Sequence, residues 1–306
     1  MPTSSMLDLL YCGTGWLPMI DEIRVRLPEG AIIRGRDFAV PLEEDARNAH
    51  VLLPSNTRIG EGVLAAASGL RLVQQPAVGV EGIDLSATRE RGIPVCNAPG
   101  SNSEALAEAA LLLLLALARR FPEAQRVFRE PQIGVPLGVE LRGKRLGVVG
   151  MGRSGTRLAQ AARALGMDIE GLTSQSGKKA LHTLLAGADF VSLHCPLTSD
   201  TRGLLGPEEF DQMKPGAFLV NCARGAIVDR RSLEEALNRG HLGGVGLDVF
   251  WEEPWNPRDP LFQRENVITL PHIGGSTVEV FARVADLVAE NVRRLLAGEA
   301  LLHQVA

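Results

Sequence analysis

The run Leu146-Gly147-Val148-Val149-Gly150-Met151-Gly152-Arg153-Ser154-Gly155 decides how this chain is read. It is a short apolar strand, a tight turn and the opening of a helix, with G-x-G-x-x-G spacing across the turn. Gly150 permits the sharp turn, Gly152 lets backbone approach a pyrophosphate, and Gly155 lets the helix pack close to the strand. The helix N-terminus offers N–H groups to phosphate oxygens. About half of the 306 residues precede this loop. A dinucleotide domain usually opens with it, so the mid-chain position predicts a nucleotide domain inserted into another domain.

Two arrays of alternating strands and helices flank the loop, the pattern of parallel sheets covered on both faces. In the first, residues 7–11, 31–33, 51–53, 72–74 and 94–96 read as strands, and 61–68 and 84–91 as helices. In the second, strands fit 145–149, 168–172, 189–194, 217–221, 244–248 and 267–270, and helices fit 155–165, 207–213 and 231–239. Gly166 and Gly240 stand where helix C-terminal caps belong. Residues 97–103 read as a linker whose Ser103 caps the following helix. Residues 121–143 are rich in Pro and Gly and carry little periodicity, and 279–297 reads as an amphipathic helix returning to the first domain. The expected division is 1–100 plus 283–306 for one domain and 101–282 for the other.

The chain is 45% hydrophobic and 22% charged with a net charge of −4, and it has no basic block. This argues against nucleic acid or an anionic membrane as partner. The longest apolar run, 109–118, is too short to span a bilayer. A helix apolar on most faces is expected to be buried between domains or subunits, so helix 103–120 predicts a homodimer. Cys12, Cys96, Cys195 and Cys222 are scattered without a C-x-x-C, so neither a metal site nor a disulfide framework is expected. Residues 1–5 lack the start of a signal peptide. The expectation is a reduced, cytoplasmic protein.

In open parallel sheets ligands bind beyond the carboxyl ends of the strands. Those positions in the second array hold Gly150, Thr173-Ser174, His194-Cys195-Pro196, Cys222-Ala223-Arg224, Asp248 and Pro271-His272. Arg224, beside Gly225, suits a bidentate grip on a carboxylate, and the bland alternative is a surface loop arginine. His272 suits proton transfer near neutral pH, and the bland alternative is a structural histidine. A carboxylate on one ring nitrogen would stabilise the imidazolium. Glu252 and Glu253 both follow Asp248, and local spacing does not choose between them.

Taken in order, several runs make the chain resemble the D-isomer-specific 2-hydroxyacid dehydrogenases over nearly its whole length. They are Gly79-Val80-Glu81-Gly82-Ile83-Asp84, Gly92-Ile93-Pro94-Val95 with Asn97-Ala98-Pro99-Gly100, the loop at Gly150, and Pro196-Leu197-Thr198 with Thr201-Arg202. Met213-Lys214-Pro215-Gly216-Ala217, Asn221-Cys222-Ala223-Arg224-Gly225, Asp248-Val249-Phe250 and Pro271-His272-Ile273-Gly274-Gly275 complete the set. The resemblance implies an α/β fold of two doubly wound parallel-sheet domains, a Rossmann nucleotide domain inserted into a flavodoxin-like substrate domain. It implies Arg224, Glu253 and His272 as catalytic residues, selecting Glu253 because it precedes Pro254. It implies cofactor contacts at Gly150, Gly152, Arg153, Ser154, Gly155, Thr173, Ser174, Cys195, Pro196, Cys222, Ala223, Asp248 and Gly274. Substrate contacts would fall on Ser55, Asn56, Val78 and Gly79, together with Arg224 and His272. The implied reaction moves a hydride between a nicotinamide and C2 of a 2-oxo acid, in a homodimer.

Two departures refine this. The NAD fingerprint wants an acidic residue after its second strand, to hold the ribose 2′-OH. Here that strand is followed by Thr173-Ser174-Gln175-Ser176-Gly177-Lys178-Lys179. Hydroxyls and lysines there favour NADP over NAD. Relatives acting on 3-phosphoglycerate carry arginines where Pro54 and Asn56 stand, and the chain stops soon after its closing helix, without the regulatory domain some relatives append. A small unphosphorylated acid such as glyoxylate or hydroxypyruvate is therefore the expected substrate. A nucleotide-sensing corepressor and a phosphite dehydrogenase, both similar to this family, are the alternatives.

Overall fold

The computed structural model describes residues 6–306, so the N-terminal stretch read above for a leader lies outside the described residues. Contacts divide the chain into two units, Met1–Ser101 with Ser276–Ala306, and Asn102–Gly275.

The first unit holds a five-stranded sheet, β1 (Leu7–Tyr11), β2 (Ala31–Gly35), β3 (Val51–Leu53), β4 (Leu72–Gln74) and β5 (Val95–Cys96). The pairings among these strands are parallel, in the order β2-β1-β3-β4-β5, and β5 also makes an antiparallel bridge from Cys96 to Gln304. This is the flavodoxin-like order. β3 and β4 are short, unbroken buried runs, the pattern of strands covered on both faces. Helix Val278–Ala297 belongs to this unit. Thr277 caps its first turn by accepting the Val280 N–H, and Gly298 ends it at a φ of +67°. Val280, Val284, Val288 and Val292 form its buried stripe at four-residue spacing. Beside them, the buried Asn291 donates to Gln74 Oε1 at 2.6 Å and accepts from Leu302 N at 2.7 Å, tying the returning segment to β4.

The second unit holds β6 (Arg145–Val149), β7 (Asp168–Leu172), β8 (Phe190–Leu193), β9 (Ala217–Asn221), β10 (Leu242–Leu247) and β11 (Val267–Thr269). All are parallel, in the order β11-β10-β9-β8-β6-β7. Alternation along the strands splits the core between the two faces. Leu146 and Val148 of β6, with Val220 of β9, pack with helices Ser103–Ala118 and Arg153–Ala164. Val149, with Ala217 and Leu219, packs with helices Gly177–Gly187, Pro207–Gln212 and Arg230–Asn238. Glycines on β10 bring helix Ser103–Ala118 close: a Cβ at Gly246 would lie 2.9 Å from Leu113 Cβ, and one at Gly244 would lie 3.1 Å from Leu117 Cδ2.

Several sequence expectations are corrected here. Ser103 is the first residue of its helix rather than its cap, and the cap residue Asn102 makes no side-chain capping bond. Part of the irregular stretch 121–143 is a helix, Phe121–Phe128. Gly177–Gly187 is also helical, with Leu181, Leu184 and Leu185 buried. The apolar character of helix Ser103–Ala118 is spent mostly inside its own unit: Ala105, Ala107, Ala110, Leu113, Leu114, Leu117 and Ala118 are buried there. The sheet also has one strand beyond β6 on the β7 side, where the usual dinucleotide order 3-2-1-4-5-6 has two. Only a short turn and helix Gly177–Gly187 separate β7 from β8, so the chain crosses directly over β6 and leaves β7 as the edge.

Candidate active site

The glycine turn after β6 does three separate jobs. Gly150 has a φ of +106°, and a Cβ there would lie 2.5 Å from Cys195 N, so the turn presses against the end of β8. Gly155 carries the helix over that turn, with a Cβ only 2.2 Å from Gly150 O. Gly152 caps helix Arg153–Ala164 with extended backbone, and a Cβ there would meet nothing within 4 Å. Open space at Gly152 and close packing at its two companions fit a pyrophosphate approaching the N–H groups of that helix.

Around this turn lies a buried network. His194, at the end of β8, bonds through Nδ1 to Ser154 Oγ at 3.1 Å and through Nε2 to Ser192 Oγ at 3.0 Å. Burial pushes its pKa down from 6.5 to about 4, so the ring is neutral and joins two hydroxyls. The Cys195 thiol is pushed up to about 11 by burial, and Pro196 O accepts from Thr201 Oγ1 at 2.6 Å. Arg153 is exposed beside the turn. Beyond β7, Thr173 and Ser174 are exposed, and Thr173 N donates to Ser176 Oγ at 3.0 Å. Lys178 is exposed and pairs with Glu208, its Nζ 2.7 Å from Oε2. Glu208, Glu209 and His182 lie close enough to share an ion, but the Lys178 ammonium already supplies the positive charge among them.

Beyond β9, Asn221 shapes the turn that carries Arg224. Its Nδ2 donates to Arg224 O at 2.9 Å and its Oδ1 accepts from Ala223 N at 3.0 Å. Arg224 Nη1 donates to Ala223 O at 2.7 Å. The Cys222 and Ala223 side chains are buried in the core, which leaves backbone as their means of touching a ligand. Gly225 presses this turn against the one beyond β10: a Cβ there would lie 2.1 Å from Phe250 O.

In that next turn Glu253 is fixed at both oxygens. Oε1 accepts from Phe250 N at 3.0 Å, and Oε2 lies 2.6 Å from His272 Nδ1. Burial alone would raise the Glu253 pKa, but the His272 ring, the Phe250 N–H and the Arg224 charge outweigh it and hold the carboxyl below its ordinary value. The geometry thus separates Glu253 from Glu252, which spacing could not. His272 sits in left-handed backbone at a φ of +53°, with its N–H donating to Leu270 O at 2.9 Å. With Nδ1 on the carboxylate, Nε2 is the nitrogen through which a proton would pass to a ligand.

Asp248 secures the histidine turn from beneath. It is fully buried, and its two oxygens accept from Ile273 N and Gly274 N, each at 2.8 Å. Burial raises its pKa, with the two N–H groups and the His272 charge opposing and Glu253 adding to the rise. A Cβ at Gly274 would lie 2.6 Å from Asp248 Oδ2, so only glycine lets the turn close on the carboxylate. The expected cofactor contact is therefore first an anchor for the segment carrying His272. In the first unit, Ser55, Asn56, Val78 and Gly79 lie in the turns beyond β3 and β4, held by Tyr11, Gln75 and Asn97. Those three, with Asn221, were missed in the sequence. The available signal was a polar residue ending or following an apolar strand.

Residues 111–274 match the family model described as the D-isomer specific 2-hydroxyacid dehydrogenase, NAD binding domain. A glyoxylate reductase from Korarchaeum cryptofilum is 42% identical over 253 residues, 78% of this chain and 76% of that protein. A D-3-phosphoglycerate dehydrogenase from Archaeoglobus fulgidus is 37% identical over 291 residues, 91% of this chain. The chain spans only about half, 55%, of that relative's length. Among solved structures, an NADPH-dependent glyoxylate/hydroxypyruvate reductase from Sinorhizobium meliloti, in complex with NADP and malonate, superposes with a TM-score of 0.85. It is 29% identical, and the match covers 99% of this chain and 97% of that one. With its glycine turn, its strand-end residues and these relatives in view, the chain belongs to the D-isomer-specific 2-hydroxyacid dehydrogenase family.

Proposed function

We propose that this protein is an NAD(P)-dependent D-2-hydroxyacid dehydrogenase whose substrate is a small unphosphorylated 2-oxo acid, with glyoxylate or hydroxypyruvate favoured. The observation that carries the reading is the Glu253–His272 pair, 2.6 Å apart, with the Arg224 charge acting on the same carboxylate. Arg224 orients the substrate carboxylate and polarises the C2 carbonyl. His272, protonated, delivers a proton from Nε2 to the carbonyl oxygen while Glu253 steadies the imidazolium. Asp248 and Asn221 hold the turns from which these groups project. The nicotinamide, when bound, supplies the hydride to C2, and the helix start at Gly152–Gly155 would hold its pyrophosphate. The first unit, which carries Ser55, Asn56, Val78 and Gly79, would take the substrate carboxylate.

The unphosphorylated substrate is supported by Pro54 and by Asn56, whose amide is engaged at both ends with Thr14, at 3.0 and 2.9 Å. NADP is favoured over NAD because the residues that follow β7 offer hydroxyls and no carboxylate. The Sinorhizobium meliloti reductase carries NADP. A homodimer is favoured by apolar surface that continues past helix Ser103–Ala118. Leu112 and Leu115 on that helix, and Phe121, Phe128, Ile133 and Leu137 after it, are between 40% and 100% exposed, which extends the proposed contact through the helix onto the following segment. Among the described residues no helix is long and apolar enough to cross a membrane.

The test is oxidation of NADPH and of NADH against a panel of 2-oxo acids, with phosphite plus NAD(P) as the reverse reaction. Turnover of glyoxylate or hydroxypyruvate with a higher kcat/KM for NADPH is expected. Turnover of phosphite alone, or cofactor binding without any turnover, would replace this reading with one of its alternatives.

A further inference from the structure

Gln75, the residue after β4, is 6% exposed. Its Nε2 donates to Ser55 O at 3.1 Å and to Gly79 O at 2.8 Å, so a single amide spans the turn beyond β3 and the turn beyond β4. Two carbonyl acceptors fix which end of the amide is nitrogen, because an oxygen there would face two others. Oε1 is then buried without a hydrogen-bond partner among the described residues. The amide is thus kept for what it donates, at the expense of its own acceptor.

The turn it holds is strained. Ser55 has a φ of +56°, a conformation that a non-glycine residue keeps only when its surroundings over-determine it. Three contacts do so besides Gln75. The buried Tyr11 hydroxyl lies 3.0 Å from Ser55 Oγ and 3.0 Å from Gly15 O, so its one proton serves the carbonyl and the serine proton serves the phenol. Gly13 leaves the space Ser55 occupies: a Cβ there would lie 2.6 Å from Ser55 Cβ. Asn56 closes on Thr14 through both ends of its amide. On the other turn, Asn97 Nδ2 donates to Val78 O at 2.7 Å. The carbonyls of Ser55, Val78 and Gly79 are therefore all claimed from the protein side. The N–H groups of Val78 and Gly79 donate to no partner among the described residues.

We propose that Gln75 and Tyr11 are positioning residues for substrate: they hold the Ser55–Asn56 and Val78–Gly79 turns so that backbone N–H groups are presented to a carboxylate. This rests on the function proposed above and names how one end of its substrate is held. Neither side chain touches the reacting atoms, so their effect falls on binding rather than on the chemical step.

The experiment uses the full chain with Gln75→Met, which fills similar volume and removes both donated bonds along with the orphaned acceptor. Tyr11→Phe is the milder second variant, keeping the ring in the core. Steady-state kinetics are measured with the 2-oxo acid the parent turns over, together with cofactor Kd and Tm. The expected result is a KM for the 2-oxo acid raised about tenfold in Gln75→Met and by a smaller factor in Tyr11→Phe. The kcat and the cofactor Kd stay within about twofold. A role limited to folding would lower Tm and the active fraction and leave KM alone, and that outcome in both variants overturns the proposal. Should the parent reduce no 2-oxo acid, the functional reading fails by itself. Calorimetric titration with oxamate in the presence of cofactor then decides the positioning, since equal affinity in parent and Gln75→Met, or no binding to either, overturns it.

Discussion

Beyond the strands of the second unit stand Arg224, Asp248, Glu253 and His272. Beyond those of the first stand Tyr11, Ser55, Asn56, Gln75 and Asn97. Both sheets are parallel and both gather polar groups at their carboxyl ends, yet one set is ionisable and the other neutral. The difference follows from what each is asked to do. A group that donates a proton or meets developing charge must itself be charged or titrate near neutrality. A group that only holds a charge in place works best with fixed dipoles, whose grip does not change with pH. The ionisable set is braced mainly by carboxylates and by glycines that let turns close on one another, with the Asn221 amide holding the Arg224 turn. The neutral set is braced by amide-to-carbonyl bonds and tolerates a strained serine.

The largest effect belongs on the ionisable side. His272→Ala should lower kcat by about 10²–10⁴-fold, the usual worth of a general acid, with cofactor Kd unchanged by fluorescence titration. Asn97→Ala, which frees the Val78 carbonyl on the neutral side, should raise KM for the 2-oxo acid by about tenfold and leave kcat nearly untouched. An Asn97→Ala loss of kcat comparable to that of His272→Ala would break the distinction.

A middle-sized effect separates the histidine proposed to react from the one that joins two hydroxyls. The folded chain holds His194 neutral down to about pH 4, whereas the unfolded chain accepts a proton near 6.5. Stability therefore falls as pH falls between those two values, because the unfolded state binds the extra proton. His194→Asn should be less stable than the parent at neutral pH and should show a shallower fall in Tm across that acid window. An equally steep fall in both would mean that His194 is not the group responsible. The smallest effect is expected at Lys178, whose ammonium is already paired with Glu208. Lys178→Ala should change the NADPH-to-NADH ratio of kcat/KM by less than about twofold, and a larger fall would return that lysine to the cofactor.

The sequence made the strand ends legible because the chemistry there is local. The spacing of Gly150, Gly152 and Gly155 is a local pattern, and Gly155 meets Gly150 O only five residues away, while Arg224 and His272 follow apolar strands that periodicity locates. Helix Gly177–Gly187 was not legible: its polar opening, Gly177-Lys178-Lys179, reads as loop, and Leu181, Leu184 and Leu185 are buried against residues distant in sequence, among them Val149 and Phe210. The edge position of β7 was hidden for the same reason, since strand order depends on which way a crossover runs. Glu253 emerged from the family pattern, while its bond to His272 is a contact across nineteen residues that no spacing rule encodes. Gln75 showed only as a polar residue after an apolar strand; what it holds was hidden, because it acts through the carbonyls of Ser55 and Gly79, and a carbonyl is present whatever the sequence.

The central claim is hydride delivery to one face of a 2-oxo acid held by Arg224 and protonated by His272. Its most direct test is the product of hydroxypyruvate reduction, with NADPH as reductant, resolved by chiral chromatography. The account predicts D-glycerate alone from the parent protein, with its formation by His272→Ala slower by about 10²–10⁴-fold. The L product, a racemate, or no product would contradict it.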